Sequence, residues 1–153
     1  MDGRILDRGF WLYVWEVTVP DGSKLVYVGR TGDSSSANAQ SPFNRMGQHL
    51  GFLASSSMLR NHLNARSMDP RDCTFKMVAH GPILPEADDT AEHQVRRDVI
   101  AAMEKALAED LTRAGYDVMN DVRCLKPLNV EMYHAVRAAF ASDLPGLGAP
   151  APP

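Results

Sequence analysis

The chain has 153 residues, 44% hydrophobic and 23% charged, with a formal net charge of −3. This is room for one domain with a real core and the composition of a soluble globular protein, and it does not suggest a strongly basic nucleic-acid binder. No apolar run reaches membrane-spanning length. Cys73 and Cys124 lie too far apart for a disulfide framework or a zinc motif and read as buried thiols of a cytoplasmic protein. The charge is uneven. Residues 1–80 carry nine Lys/Arg against seven Asp/Glu, and residues 81–153 carry seven against twelve.

Residues 1–9 form a polar lead-in with no basic region followed by an apolar run, so no secretory signal is expected. Residues 10–142 read as one domain. Trp11-Leu12-Tyr13-Val14-Trp15-Glu16-Val17-Thr18-Val19 and Lys24-Leu25-Val26-Tyr27-Val28-Gly29-Arg30 are rich in β-branched and aromatic residues, as strands are. Pro20-Asp21-Gly22 between them has the chemistry of a three-residue hairpin loop. That turn fixes a register with Trp15 opposite Tyr27 and Tyr13 opposite Gly29. Tyr13 and Tyr27 then emerge on one face as diagonal neighbours. Gly29 is expected to leave space above the sheet for a ligand. The plainer reading of the two phenols is a core aromatic cluster with Trp11 and Trp15.

Thr31 to Gln40 is a Gly/Ser/Asn-rich loop, solvated or touching phosphates, without the Lys of a P-loop. Ser41-Pro42 opens a helix. Phe43, Met46, Leu50 and Leu53 form its apolar stripe and are expected to face the core. Arg45 and His49 share a face rotated about 110° from that stripe. Ser55-Ser56-Ser57 is expected to cap a second helix with Met58, Leu59, His62 and Leu63 inside. Cys73 to Ala79 alternates as a third strand, interrupted after Gly81-Pro82 and Pro85.

Asp89 and Glu92 make a capping-box-like start to a long helix ending near Gly115. Val95, Val99, Ala102, Met103, Ala106 and Leu107 form its apolar face. Glu104 lies at the margin of that face, where a partly desolvated carboxylate needs a metal or a cation as partner. A salt bridge to Arg97 or Arg113 is the plain alternative, and Asp110 is the rival carboxylate on the helical wheel. Tyr116 to Asn120 follows as an extended segment, and Asn129 caps a last helix from Val130 to Ala141. Residues 143–153, from Leu144-Pro145-Gly146 through Pro153, read as a Pro/Gly/Ala-rich flexible tail that buries no core.

The order Leu12-Tyr13, then Tyr27-Val28-Gly29, then Arg45 and His49 one helical turn apart resembles the GIY-YIG nuclease family over roughly residues 10–122. The second signature stands as Tyr27-Val28-Gly29. The first keeps Tyr13 but has Trp11 where Gly is usual. The resemblance implies an α/β fold with a small central antiparallel sheet of about three strands flanked by helices on both faces. It implies a metal-dependent endonuclease that hydrolyses phosphodiester bonds in DNA.

On that resemblance Glu104 matches the metal-binding Glu and holds one divalent cation, Mg²⁺ or Mn²⁺. Tyr13 activates water with help from Tyr27 or His49, and Arg45 stabilises the phosphate. Gly29, Arg30 and Asn120 border the substrate. A further His found in some members falls on Ser55 or Ser56 here, and His62 reads as structural. No zinc-finger spacing or basic arm is seen, which leaves target recognition to a second copy or a partner protein. Two other classes stay open: a nucleic-acid-binding module without activity on the same fold, and a small metabolic or interaction domain in which the tyrosines and Glu104 only pack.

Overall fold

The hairpin forms as its turn residues dictate. Strand β1 (Phe10–Thr18) pairs antiparallel with β2 (Lys24–Arg30), with Tyr13 opposite Gly29 and Trp15 opposite Tyr27. Gly22 supplies the positive φ of 85°, and Val19 N–H donates to Ser23 O across the turn at 3.0 Å. The structure is a computed structural model and describes residues 2–34 and 37–148. Ser35 and Ser36 of the polar loop and residues 149–153 of the expected tail lie outside the described residues.

The sheet has four strands in the order β3-β1-β2-β4, with β3 spanning Thr74–Leu84 and β4 spanning Asp117–Val118. It is mixed rather than antiparallel, because β4 runs parallel to β2. Two residues are too few for any hydrophobic period to announce a strand. Strand β3 runs on through Gly81-Pro82, where an interruption was expected. It lies at the edge of the sheet, and an edge strand tolerates a residue without an N–H.

Four helices pack on the sheet: α1 (Pro42–Leu50), α2 (Met58–Ala65), α3 (Thr90–Arg113) and α4 (Val130–Ala141). Alternation divides the hairpin between two cores. Phe10, Leu12, Val14, Val26 and Val28 pack with Ile100, Met103, Leu107, Tyr133 and Phe140 of α3 and α4. Tyr13, Trp15, Val17, Leu25 and Tyr27 pack with Leu59 and Leu63 of α2, and Met46 and Leu50 of α1 lie against them. Both faces are therefore covered, as a sheet with apolar residues on both faces requires.

Several expectations change at this level. The stripe of α1 faces the core only in part: Met46 and Leu50 pack against it, Phe43 and the following Leu53 are exposed, and the residues α1 buries fully are Pro42 and His49. The Ser57 side chain makes no cap bond to α2, and Met58 is exposed. Val95 is exposed, while Ile100 and Leu111 join the buried face of α3. Leu144 and Leu147 are buried in the α3/α4 core, so the chain past residue 143 does contribute to it. One short turn, Pro145–Gly148, suffices to place them. Cys73 and Cys124 are free and only half-buried. No helix among the described residues is long and apolar enough to cross a membrane.

Candidate active site

The register places Tyr13 and Tyr27 on the sheet face beneath α1. Helix α1 begins with Ser41 as N-cap and Pro42 in its first turn, and this start aims His49 down at the two phenols. Tyr13 Oη lies 2.6 Å from His49 Nε2, and the His49 ring sits edge-on to both tyrosine rings. Two arrangements satisfy this pair. The phenol can donate to Nε2, or it can accept from Nε2–H while donating to Arg30 O at 3.3 Å.

Burial, with Arg45 nearby, pushes the His49 pKa down to about 4, so the ring is neutral at neutral pH. Burial raises both phenols well above the ordinary tyrosine range. Arg45 opposes the shift at Tyr13, and Glu104 adds to it at Tyr27. Tyr13 has no solvent-accessible surface, and Tyr27 keeps 8%.

Two guanidiniums complete the cluster. Arg45 Nη1 donates to Gln48 Oε1 at 2.9 Å and Nη2 donates to Asp33 Oδ2 at 2.8 Å. Arg30 Nε donates to Glu104 Oε2 at 2.7 Å. Burial raises the Glu104 pKa, and Arg30 pulls against that shift. Three buried nitrogens of this cluster have no partner among the described residues: Arg30 Nη1, Arg45 Nε and His49 Nδ1. The structure thus brings Tyr13, Tyr27, Arg45, His49 and Glu104 within electrostatic reach of one another.

Two residues expected at the substrate border do other work. The space over Gly29 is not open, because the Tyr13 phenol fills it: a Cβ at Gly29 would lie 2.4 Å from Tyr13 Cε2 and 2.6 Å from its hydroxyl oxygen. Glycine is needed there for the tyrosine, not for a ligand. Asn120 Oδ1 accepts from Val28 N–H at 3.0 Å and its Nδ2 donates to Val28 O at 2.8 Å. Its amide copies one backbone pairing and extends the β2–β4 contact.

Glu104 pairs with Arg30, not with the Arg97 or Arg113 of the sequence reading, which meet Asp98 and Asp110 instead. His62 packs beside the cluster, its ring 5.6 Å from that of Tyr27. Ser57, rather than Ser55 or Ser56, is the buried serine here, and its hydroxyl has no partner.

No known family description matches the chain, and no curated protein or solved structure does either. The function must be argued from the cluster itself.

Among the described residues no group of three or more His, Cys, Asp or Glu side chains could hold a metal. The described residues thus offer no all-protein cage. It leaves the mode in which a hard cation keeps several waters and takes one or two carboxylates plus substrate phosphate. Glu104 suits that mode, since its Oε2 is engaged by one donor, Arg30.

Sequence reasoning missed Asp33 and Gln48. Gln48 falls on the α1 turn with Arg45 and could have been read as its neighbour. Asp33 sits in an aperiodic loop, where no spacing rule assigns a partner.

Proposed function

We propose that this protein is a metal-dependent endonuclease that hydrolyses phosphodiester bonds in DNA through a GIY-YIG-type site. One observation carries the reading. Two phenols, a neutral histidine and Arg45 gather on the α1 face of the sheet, and Arg30 with Glu104, whose pKa is raised, stands on the α3 side within electrostatic reach of them, with three buried nitrogens of the group unpartnered. Perturbed titratable groups gathered with unmet donors are what a phosphate-handling site needs before its substrate arrives.

In this reading Arg45 holds the phosphate through its planar donor fork. Tyr27, the phenol with some solvent contact, meets the attacking water. Tyr13 lies behind it, 2.6 Å from His49 Nε2; burial keeps this phenol protonated and the imidazole neutral, so the pair holds Tyr27 and the water in place while the water's proton leaves to solvent. Arg30 steers and partly neutralises Glu104, the residue that would hold Mg²⁺ or Mn²⁺. When bound, the cation supplies stabilisation of the charge that develops on the leaving oxygen.

A second reading, a nucleic-acid-binding module without activity, is favoured by the complete burial of Tyr13 and by the carboxylate already on Arg45. Nicking of supercoiled plasmid in Mg²⁺ or Mn²⁺ separates the two. The nuclease reading requires nicking that EDTA stops and Tyr27→Phe slows by about a hundredfold, within the usual range for proton-transfer groups. Retention of plasmid in a gel-shift assay with no nicking under any metal would leave the binding module.

A further inference from the structure

Arg45, the group that the nuclease reading gives to the phosphate, is already paired with an anion of the chain itself. Asp33 gives the guanidinium a single oxygen, Oδ2 at 2.8 Å from Nη2, while Nε of the same group is buried without a partner. A guanidinium presents its donors in forks, and an anion with two well-spaced oxygens takes two at once. Asp33 leaves one such donor unmade, which is costly in a buried place. A phosphate, with its tetrahedral oxygens, can take both.

The placement of Asp33 is built into the fold on either side. Before it, Thr31 is buried: its hydroxyl accepts from Trp11 N–H at 2.8 Å and donates to Gly9 O at 2.6 Å. Gly32 has φ 74° and lies so close to Phe10 that a Cβ would fall 2.4 Å from the ring. After it, the buried His93 donates from Nε2 to Ser34 O at 3.1 Å, with its own ring packed on Phe10. The backbone of Asp33 is held by these neighbours. Its side chain is 42% exposed, so a side-chain rotation toward solvent, with the backbone kept in place, is the movement that would release Arg45.

We propose that Asp33 stands in for the substrate phosphate: it neutralises Arg45 in the free protein and yields only to an anion with two or more oxygens. Asp33 is thus a positioning residue that sets the affinity and selectivity of the site for phosphate. This rests on the nuclease reading for its substrate, but not for the binding of phosphate itself.

The test is Asp33→Asn, with Asp33→Glu as the conservative variant and Asp33→Ser as a second neutral one. Inorganic phosphate and a short DNA duplex are titrated while the Arg45 Nε–Hε resonance is followed by NMR. Both neutral variants should bind phosphate about fivefold more tightly than the parent, the scale of one partly exposed ion pair. Asp33→Glu should return binding to the parent level. In nicking, KM should fall by the same factor while kcat stays unchanged, a split that a merely structural role would not produce.

Neutral variants that bind phosphate no more tightly, or no phosphate binding at Arg45 in any protein, overturn the proposal. If phosphate binding tightens but DNA is never cut, the proposal stands and the nuclease reading falls. If DNA is cut and phosphate binding does not tighten, the reverse holds.

Discussion

Two carboxylates on α3 are buried to nearly the same degree and live in opposite circumstances. The Asp110 side chain is 9% exposed and that of Glu104 is 14%. Asp110 Oδ2 accepts from Tyr133 Oη at 2.6 Å and from Arg137 Nε at 2.8 Å, and its Oδ1 meets Arg113 Nη1 at 2.7 Å. Glu104 has one donor, Arg30, whose Nη1 is itself buried and unmet. The first network is finished, and finished networks fix a packing arrangement. The second carries a standing cost that its own fold does not offset. The difference teaches where to look for chemistry: burial alone does not mark a functional acid, but burial with an incomplete set of partners does.

The comparison breaks most visibly on stability. Asp110→Ala strands Tyr133 and Arg137 on the inner face and should cost about 4 kcal/mol in urea unfolding, the scale of a broken buried pair. The nicking rate of the protein that remains folded should be unchanged.

The next largest effect belongs to His49 and is a matter of pH. Its folded pKa, about 4, lies below the ordinary value of 6.5. The unfolded chain therefore takes up a proton that the folded chain refuses. The stabilising contribution is fully present above pH 6.5 and is lost as pH falls to about 4, by roughly 1.4 kcal/mol per unit. Unfolding free energies measured at pH 7 and pH 5 should show this slope in the parent and not in His49→Phe. An equal slope in both would place the titration elsewhere.

Glu104→Gln sharpens the contrast. It removes the anion paired with Arg30 but spares the desolvation of a buried carboxylate, so the two effects partly cancel. The loss should be about 2 kcal/mol, and a second change, Arg30→Met, should recover most of it because the pair is then removed whole. If the double variant is no more stable than Glu104→Gln, the two side chains are not coupled as the geometry requires. At the small end, Glu109→Gln touches an exposed pair with Lys105 and should change the unfolding free energy by no more than about 0.5 kcal/mol in urea unfolding.

How much of this could be read in the chain depends on the range of the signal. The Tyr13–Gly29 and Trp15–Tyr27 register follows from one turn, because Pro20-Asp21-Gly22 leaves little choice of loop. The caps at Ser41, Asp89 and Asn129 are local and readable for the same reason, and each side chain accepts from the first turn of its helix. The orientation of α1 was readable in part: the Arg45/His49 face does meet the phenols and Met46 and Leu50 pack on the core, but periodicity does not say how far a stripe will be covered, and Phe43 and Leu53 stay exposed.

The partners of Glu104 and Arg45 were also out of reach. Arg30 comes from the end of β2 and Asp33 from an irregular loop, and nothing in local spacing couples them to helices far along the chain. The extended segment from Tyr116 to Asn120 was read, but not its pairing beside β2, because much of that pairing is done by the side chain of Asn120.

The central claim is that the unfinished cluster, and not the finished one, carries the chemistry. It is tested most directly by nicking of supercoiled plasmid in Mg²⁺ with the parent, Glu104→Gln and Asp110→Asn side by side, each rate divided by the folded fraction. The account predicts a loss of at least about a hundredfold for Glu104→Gln, as for other groups that serve the transition state, and the parent rate for Asp110→Asn. Nicking by Glu104→Gln at the parent rate, or its loss in Asp110→Asn alone, would contradict it.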